Sequence, residues 1–332
     1  MKAIEAYRVG PIESGPLREV ERPDPHPAAD EIRVRVRVCG VCRTDLHVIE
    51  GDLPTRKRPI IPGHQVVGIV DALGSSAARF RLGDRVGVAW LCSTCGACEY
   101  CRIGAENLCP HSAYTGYDQD GGYAELAVVK EAFAYAIPPA LSDEDVAPLL
   151  CAGIIGYRAF VRSRVPNGGR LGLYGFGSSA HITMQLALSR GCEVFVATRG
   201  ESHRRFAREL GAAWVGEAHD APPAKLDGAI LFAPAGELVP SALRALRPGG
   251  TVALAGIHLS PIPEMTYEPH LFHEKTLTSV EANTRADGEA LLSEAARIPI
   301  CPRTTTFALS NATEALVRLK TDRIDGTAIL VV

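Results

Sequence analysis

The sequence predicts an α/β chain in two domains, one β-rich and the other a doubly wound parallel sheet. Three observations carry this prediction. At 332 residues the chain is longer than one compact core usually holds. Its first third is a series of short period-two runs separated by Gly and Pro. From about Pro148 the texture becomes strand, helix, strand, helix, the signature of a parallel sheet with helices on its faces.

Each element follows from its own pattern. Residues 1–7 alternate like a strand. Glu31-Ile32-Arg33-Val34-Arg35-Val36-Arg37-Val38 alternates charged and apolar residues, as a half-buried strand does. Further short β runs cover 66–73 and 84–90. In the second part, the apolar run 170–174 leads into Gly175-Phe176-Gly177, and a helix is predicted over 180–190. A strand follows over 193–197, then a helix over 203–210 and a strand over 228–232. A helix ends near Arg247-Pro248-Gly249-Gly250, and a strand covers 251–255. After about Asn283 the pattern is less regular, and it ends in the strand-like 327–332. The predicted domains are therefore 1–148 with 284–332, and 149–283.

Composition narrows the function. Apolar residues make up 46%, charged residues 22%, and the net charge is −3. This balance offers no basic face for nucleic acid and no cationic stripe for a membrane surface. No uninterrupted apolar run is expected to cross a bilayer, and the start has no signal-peptide core. The expectation is a soluble, cytoplasmic protein acting on a small molecule. Ten cysteines are present, bunched between Cys92 and Cys109. Without a secretion signal, such bunching reads as metal binding before it reads as disulfides.

Cys95, Cys98, Cys101 and Cys109 are spaced C-x2-C-x2-C-x7-C. Four thiolates so close in sequence suit a tetrahedral zinc ion and leave no open position, so the lobe at about 92–109 is expected to hold a structural ion. Cys92 falls outside the spacing and is read as packing. A catalytic zinc needs three protein ligands and an open position. Cys42, His64 and Cys151 are the candidates, though their separation in sequence is weak evidence by itself.

Gly175, Gly177 and Ala180 form a G-x-G-x-x-A fingerprint that follows a strand and opens a helix. The glycines permit a tight turn and let backbone N–H groups approach a pyrophosphate at the helix N-terminus. About twenty residues on, where NAD sites place Asp or Glu, stand Thr198 and Arg199, with Arg204 and Arg205 beyond. Hydroxyl and guanidinium groups favour a 2′-phosphate that a carboxylate would repel, so NADP(H) is predicted ahead of NAD(H).

The chain resembles the medium-chain zinc-dependent alcohol dehydrogenase family almost end to end. The motifs are Cys39-Gly40-Val41-Cys42-Arg43-Thr44-Asp45-Leu46-His47, Pro62-Gly63-His64-Gln65, Gly83-Asp84-Arg85-Val86-Gly87, the cysteine knot, Asp120-Gly121-Gly122-Tyr123-Ala124-Glu125 and Cys151-Ala152-Gly153. The resemblance implies a GroES-like catalytic domain built from both chain ends, a Rossmann domain between, and an active site in the cleft where they meet. It implies Cys42, His64 and Cys151 as catalytic zinc ligands, two zinc ions per chain, and Cys39 as a core residue. Thr44 and His47 would relay the alcohol proton, Asp45 would orient His64, and Arg43 would meet the pyrophosphate. Trp90 would line the substrate pocket. Leu53 stands where ethanol-specialised relatives carry Trp, which implies room for benzyl-type or medium-chain alcohols. A homodimer or homotetramer is implied as well.

Two positions depart from the family pattern. Gln65 replaces a Glu, which implies slower ligand exchange at the metal. Thr327 stands where members often carry Arg, which implies one phosphate contact fewer. Two alternatives stand beside the dehydrogenase: an aldehyde or ketone reductase of the same fold, and a catalytically silent zinc- and nucleotide-binding redox sensor. The combination of Cys42, Thr44, His47, His64 and Cys151 argues against the sensor, which needs no proton relay.

Overall fold

The structure, a computed structural model, describes residues 1–332. The chain forms two compact units. The first comprises Met1–Cys151, Ala282–Arg297 and Pro302–Val332; the second comprises Ala152–Glu281 and Ile298–Cys301.

The first unit is built on a seven-stranded sheet. Its main path runs Thr304–Ala308, Thr327–Val331, Glu31–Val41, Gln65–Leu73, Arg85–Val88 and Ala134–Ala136, and Leu126–Lys130 also pairs with Glu31–Val41. The long strand Glu31–Val41 alternates as its sequence predicts, with Ile32, Val34, Val36 and Val38 buried. Beyond Val38 the alternation stops because Cys39, Gly40 and Val41 are buried too. Here Ala328 pairs with Val41, and Gly40 pairs with Gln65. A separate hairpin pairs Lys2–Ala6 with Leu17–Glu21.

The second unit is a six-stranded sheet, parallel throughout, ordered Trp214–Gly216, Glu193–Ala197, Arg170–Tyr174, Leu226–Leu231, Leu246–Leu254 and Thr276–Ser279. Numbered along the chain within this unit, that order is 3-2-1-4-5-6, the doubly wound dinucleotide-binding order. Central strands such as Arg170–Tyr174 are buried along nearly their whole length, as a sheet covered on both faces requires.

Several expectations need correction. The sequence places the first domain boundary after 148, but 149–151 stay with the first unit. Leu149 and Leu150 are fully buried, and Leu150 lies so close to Gly87 that a Cβ there would come within 2.8 Å of it. Residues 282–283 also belong to the first unit, where the Asn283 amide donates to the Tyr135 hydroxyl at 3.3 Å. Ile298–Cys301 return to the second unit, where Gln185 bonds both the N–H and the carbonyl of Cys301. The helix Val239–Ala245 ends just before Arg247, as the sequence predicts, but the strand after it begins at Leu246 rather than 251: Arg247, Pro248, Gly249 and Gly250 bulge within Leu246–Leu254, where the pairing register shifts between Leu226 and Gly228. The short edge strands Trp214–Gly216 and Thr276–Ser279 escaped the sequence pattern. One helical run, Asp143–Ser163, is long and apolar enough to cross a bilayer, which the sequence did not anticipate; 67% of its apolar window is buried inside the protein.

Candidate active site and metal centres

The site begins where Glu31–Val41 gives way to the helix Arg43–Glu50. Cys42 is the N-cap of that helix. Its sulfur accepts the Thr44 N–H at 3.2 Å, and Asp45 accepts the Cys42 N–H at 2.9 Å, a capping box with a thiol in the place of a hydroxyl. The cap fixes Cys42 and turns Asp45 inward, where it is 2% exposed.

His64 precedes the strand Gln65–Leu73 and is fully buried. Its Nε2 lies 3.3 Å from Cys42 Sγ and its Nδ1 3.0 Å from Asp45 Oδ1. Cys151 comes from a wide turn of i→i+5 type, Leu149–Gly153, inside the run Asp143–Ser163. Such turns recur at functional sites because they redirect a side chain without ending the helix. The ligand atoms of Cys42, His64 and Cys151 lie within 4.8 Å of one another.

Hydrogen bonds and charge among these groups set where their protons sit. The Cys151 thiol donates to Cys42, and the His64 cation lies beside it, so the Cys42 thiol is held well below its ordinary range despite burial. Cys151, as donor and buried, is pushed well above. Burial opposes charge on His64, but the Cys42 and Asp45 anions outweigh it and raise the ring to about 10. The negative charges of Cys42 and Asp45 thus draw a cation to this pocket, and a metal ion binding there would take the place of the protons on His64 Nε2 and Cys151. Tetrahedral zinc would set sulfur and nitrogen about 3.5 Å apart, close to the spacing found. The donor set fits a catalytic ion with one position left open.

The second set fits a closed ion. Cys95, Cys98, Cys101 and Cys109 also lie within 4.8 Å of one another. The sulfurs of Cys98 and Cys101, and of Cys95 and Cys109, are 3.5 Å apart, and Cys95 and Cys101 are 4.0 Å apart. Tetrahedral Zn–S bonds require about 3.8 Å. The backbone N–H groups of Ala97 and Cys98 and the Cys109 thiol pull Cys95 down to about 6. Cys92 is buried apart from the set, and burial pushes its thiol to about 12. Cys39 is fully buried, and its thiol is likewise pushed up by burial.

Around the catalytic set, Thr44 and His47 share one face of Arg43–Glu50, three residues apart. His47 Nδ1 lies 2.8 Å from Asp52 Oδ2. Sequence reasoning missed Asp52, although its place just after the helix, past Gly51, was a usable signal. Arg43 is exposed and pairs with Asp322 at 3.4 Å. Trp90 presents its ring edge-on to His64 with centroids 5.0 Å apart, and it stacks on Tyr114 and Tyr117. Leu53 packs against the same core, its N–H donating to the His47 carbonyl at 3.4 Å. Gln65 is fully buried, and both atoms of its amide lack a partner. Thr327 is buried in its strand.

In the second unit, Gly175 takes φ +87°, and a Cβ there would lie 2.9 Å from the Ala233 nitrogen. Gly177 caps the helix Ser178–Ser189 without a side-chain bond, and Ala180 is buried in its first turn. Thr198 is 3% exposed at the end of its strand. Arg199 is exposed and forms no ion pair. Arg204 is already held by Glu201 and Glu217, and Arg205 by Glu209, so these two are poorer phosphate ligands than the sequence suggested.

Comparison with known proteins agrees with this geometry. Residues 28–139 match the alcohol dehydrogenase GroES-like domain, and residues 180–297 match the zinc-binding dehydrogenase family. The probable alcohol dehydrogenase AdhA of Mycobacterium tuberculosis is 53% identical over 337 residues, covering 100% of this chain and 97% of that protein. An alcohol dehydrogenase of Geobacillus stearothermophilus is 34% identical over 323 residues, covering 95% and 94%. Among solved structures, the cinnamyl alcohol dehydrogenase SbCAD4 of Sorghum bicolor superposes with a TM-score of 0.89 at 27% identity, covering 100% and 98%. The chain belongs to the medium-chain zinc-dependent alcohol dehydrogenase family, whose members move hydride between an alcohol or aldehyde and NAD(H) or NADP(H).

Proposed function

We propose that this chain is a cytoplasmic zinc enzyme that interconverts benzyl-type or medium-chain primary alcohols and their aldehydes, using NADP(H) in preference to NAD(H). The observation that carries the reading is the convergence of Cys42, His64 and Cys151 within 4.8 Å, apart from a second set of four cysteines. Zinc held by the three ligands supplies Lewis acidity that lowers the pKa of the alcohol hydroxyl, and NADP⁺ supplies the hydride acceptor. The chain does the rest. Asp45 fixes the His64 ring so that Nε2 faces the sulfur of Cys42. Thr44 takes the alcohol proton and His47 passes it to water, with Nδ1 anchored on Asp52.

Gly175, Gly177 and Ala180 open a helix end that suits the pyrophosphate, and Arg43 adds a cation. Thr198 and the unpaired Arg199 favour a 2′-phosphate. Trp90 and Leu53 shape the pocket, and the stacked indole suits an aromatic substrate. Assembly through the open edge strand Thr276–Ser279 fits a homodimer or homotetramer.

The test is cofactor oxidation with benzaldehyde, with and without a chelator, followed by kcat/KM for both cofactors and a panel of alcohols. Expected are loss of activity with chelator, a higher kcat/KM for NADPH, and benzyl alcohol ahead of ethanol. Full activity in a zinc-free sample, a clear NADH preference, or ethanol as best substrate would each overturn its part of the reading.

A further inference from the structure

We propose that Asp120, Gly121, Gly122 and Tyr123 form a positioning clamp for His64 and so hold the catalytic metal in the chain. The inference rests on the reading that Asp45 orients His64 for zinc. It gives a role to a sequence motif that the chemistry above leaves unused.

The clamp is built mostly from backbone. The N–H groups of Gly121, Gly122 and Tyr123 donate to the carbonyls of Ile61, Gly63 and Pro62 at 2.7, 2.8 and 3.0 Å. In return, Ile61 N–H donates to Asp120 Oδ1 at 3.0 Å. The residues leading into His64 are thus bonded one after another to a second segment. Approach this close demands glycine on both sides: a Cβ on Gly121 would lie 2.0 Å from the Gly63 carbonyl oxygen, and one on Gly63 would lie 2.3 Å from the Tyr123 ring.

The clamp also reaches the second support of His64. Tyr123 is fully buried, and its hydroxyl donates to Asp45 Oδ2 at 3.1 Å. Asp45 therefore accepts four hydrogen bonds, two on each oxygen. Oδ2 takes Cys42 N–H at 2.9 Å and Tyr123; Oδ1 takes His64 Nδ1 at 3.0 Å and Gly63 N–H at 3.3 Å. A carboxylate with all its acceptor sites filled has little freedom to rotate. The imidazole it holds is fixed with Nε2 toward Cys42. Packing alone would be served by Phe; the hydroxyl of Tyr123 has Asp45 as its partner. Tyr123 is thus a positioning residue, acting on the metal through Asp45 and His64.

The experiment follows zinc release from the holoprotein into excess 4-(2-pyridylazo)resorcinol. The Cys42→Ser variant identifies the phase that belongs to the catalytic ion, and the four-cysteine ion serves as an internal reference. Tyr123→Phe is expected to speed the catalytic phase about tenfold or more and to leave the other phase unchanged. Asp45→Asn is expected to speed the same phase. If Tyr123→Phe shifts it less than twofold while Asp45→Asn accelerates it, the clamp falls and the orientation reading stands. If Asp45→Asn has no effect, the orientation reading falls and takes the clamp with it. Acceleration of both phases together would mean general loosening and would also overturn the proposal. Should Tyr123→Phe fail to fold, Asp120→Ala, which removes the acceptor for Ile61, is read by the same criteria.

Discussion

In the relay proposed above, Asp52 supports the ring of His47. With its Nδ1 bound to the carboxylate at 2.8 Å, the ring keeps its hydrogen there and leaves Nε2 free to accept a proton. His47 is only 22% exposed while Asp52 is 61% exposed, so the pair runs from a sheltered ring to an open carboxylate. Asp52→Asn keeps an acceptor but presents an amide that can also donate, so it no longer fixes which ring nitrogen carries the hydrogen. We expect kcat for alcohol oxidation near pH 7 to fall about tenfold with little change in KM, a fraction of the 10²–10⁴ available from acid–base catalysis. An unchanged kcat in steady-state assays would remove Asp52 from the relay. Gln65 is the opposite case, a buried amide with nothing to bond. A carboxylate there could touch the metal during ligand exchange, so Gln65→Glu should speed the exchange of bound zinc for labelled zinc several-fold. Unchanged exchange and turnover would refute the idea.

Among the elements, the N-terminal hairpin is anchored by a charge. Glu5 on Lys2–Ala6 is 2% exposed and receives Arg18 and Arg22 from the first unit's second strand region. Burial raises its carboxyl, but the two guanidinium groups outweigh this and hold it below the ordinary glutamate value. A depressed folded-state pKa means that the ion pairs stabilise the fold above the unfolded value and are lost as pH falls through the folded one. Glu5→Gln should therefore cost about 1–3 kcal/mol in urea unfolding at pH 7, with the deficit shrinking below about pH 4. A deficit that did not change with pH would mean that packing, not charge, anchors the hairpin. The same logic ties Glu106, between the cysteines of the knot, to Arg285 at 2.8 Å. The start of helix Arg285–Ala295 is thereby fixed to that lobe.

At the scale of the whole molecule, the two ligand sets predict two zinc ions per chain by metal analysis, and they predict that the ions behave differently. An ion held by the four cysteines would have its tetrahedron filled, whereas one held by Cys42, His64 and Cys151 would keep an open position. Cys101→Ser should lower the count to about one and reduce thermal stability, while the chelator-sensitive ion of the catalytic set remains. Loss of both ions from that single change would show that the two centres are not independent.

The fingerprint at Gly175, the four-cysteine spacing and the alternation in Glu31–Val41 were legible because each is local. Turn geometry, thiol spacing and strand period are set by neighbours within a few residues. The candidate ligands of a catalytic metal were legible only through family resemblance, since nothing local joins Cys42, His64 and Cys151. What the tertiary structure alone decided is how those residues are held: the wide turn that aims Cys151, the four bonds filling Asp45, the carboxylate of Asp52 on His47, and the clamp of 120–123 on 61–64. It also decided which cations are already paired, leaving Arg199 open and Arg204 closed. The physical reason is common to all of them. Hydrogen bonds and ion pairs between segments tens to hundreds of residues apart depend on where the sheet brings those segments together, and a one-dimensional pattern carries no record of that distance.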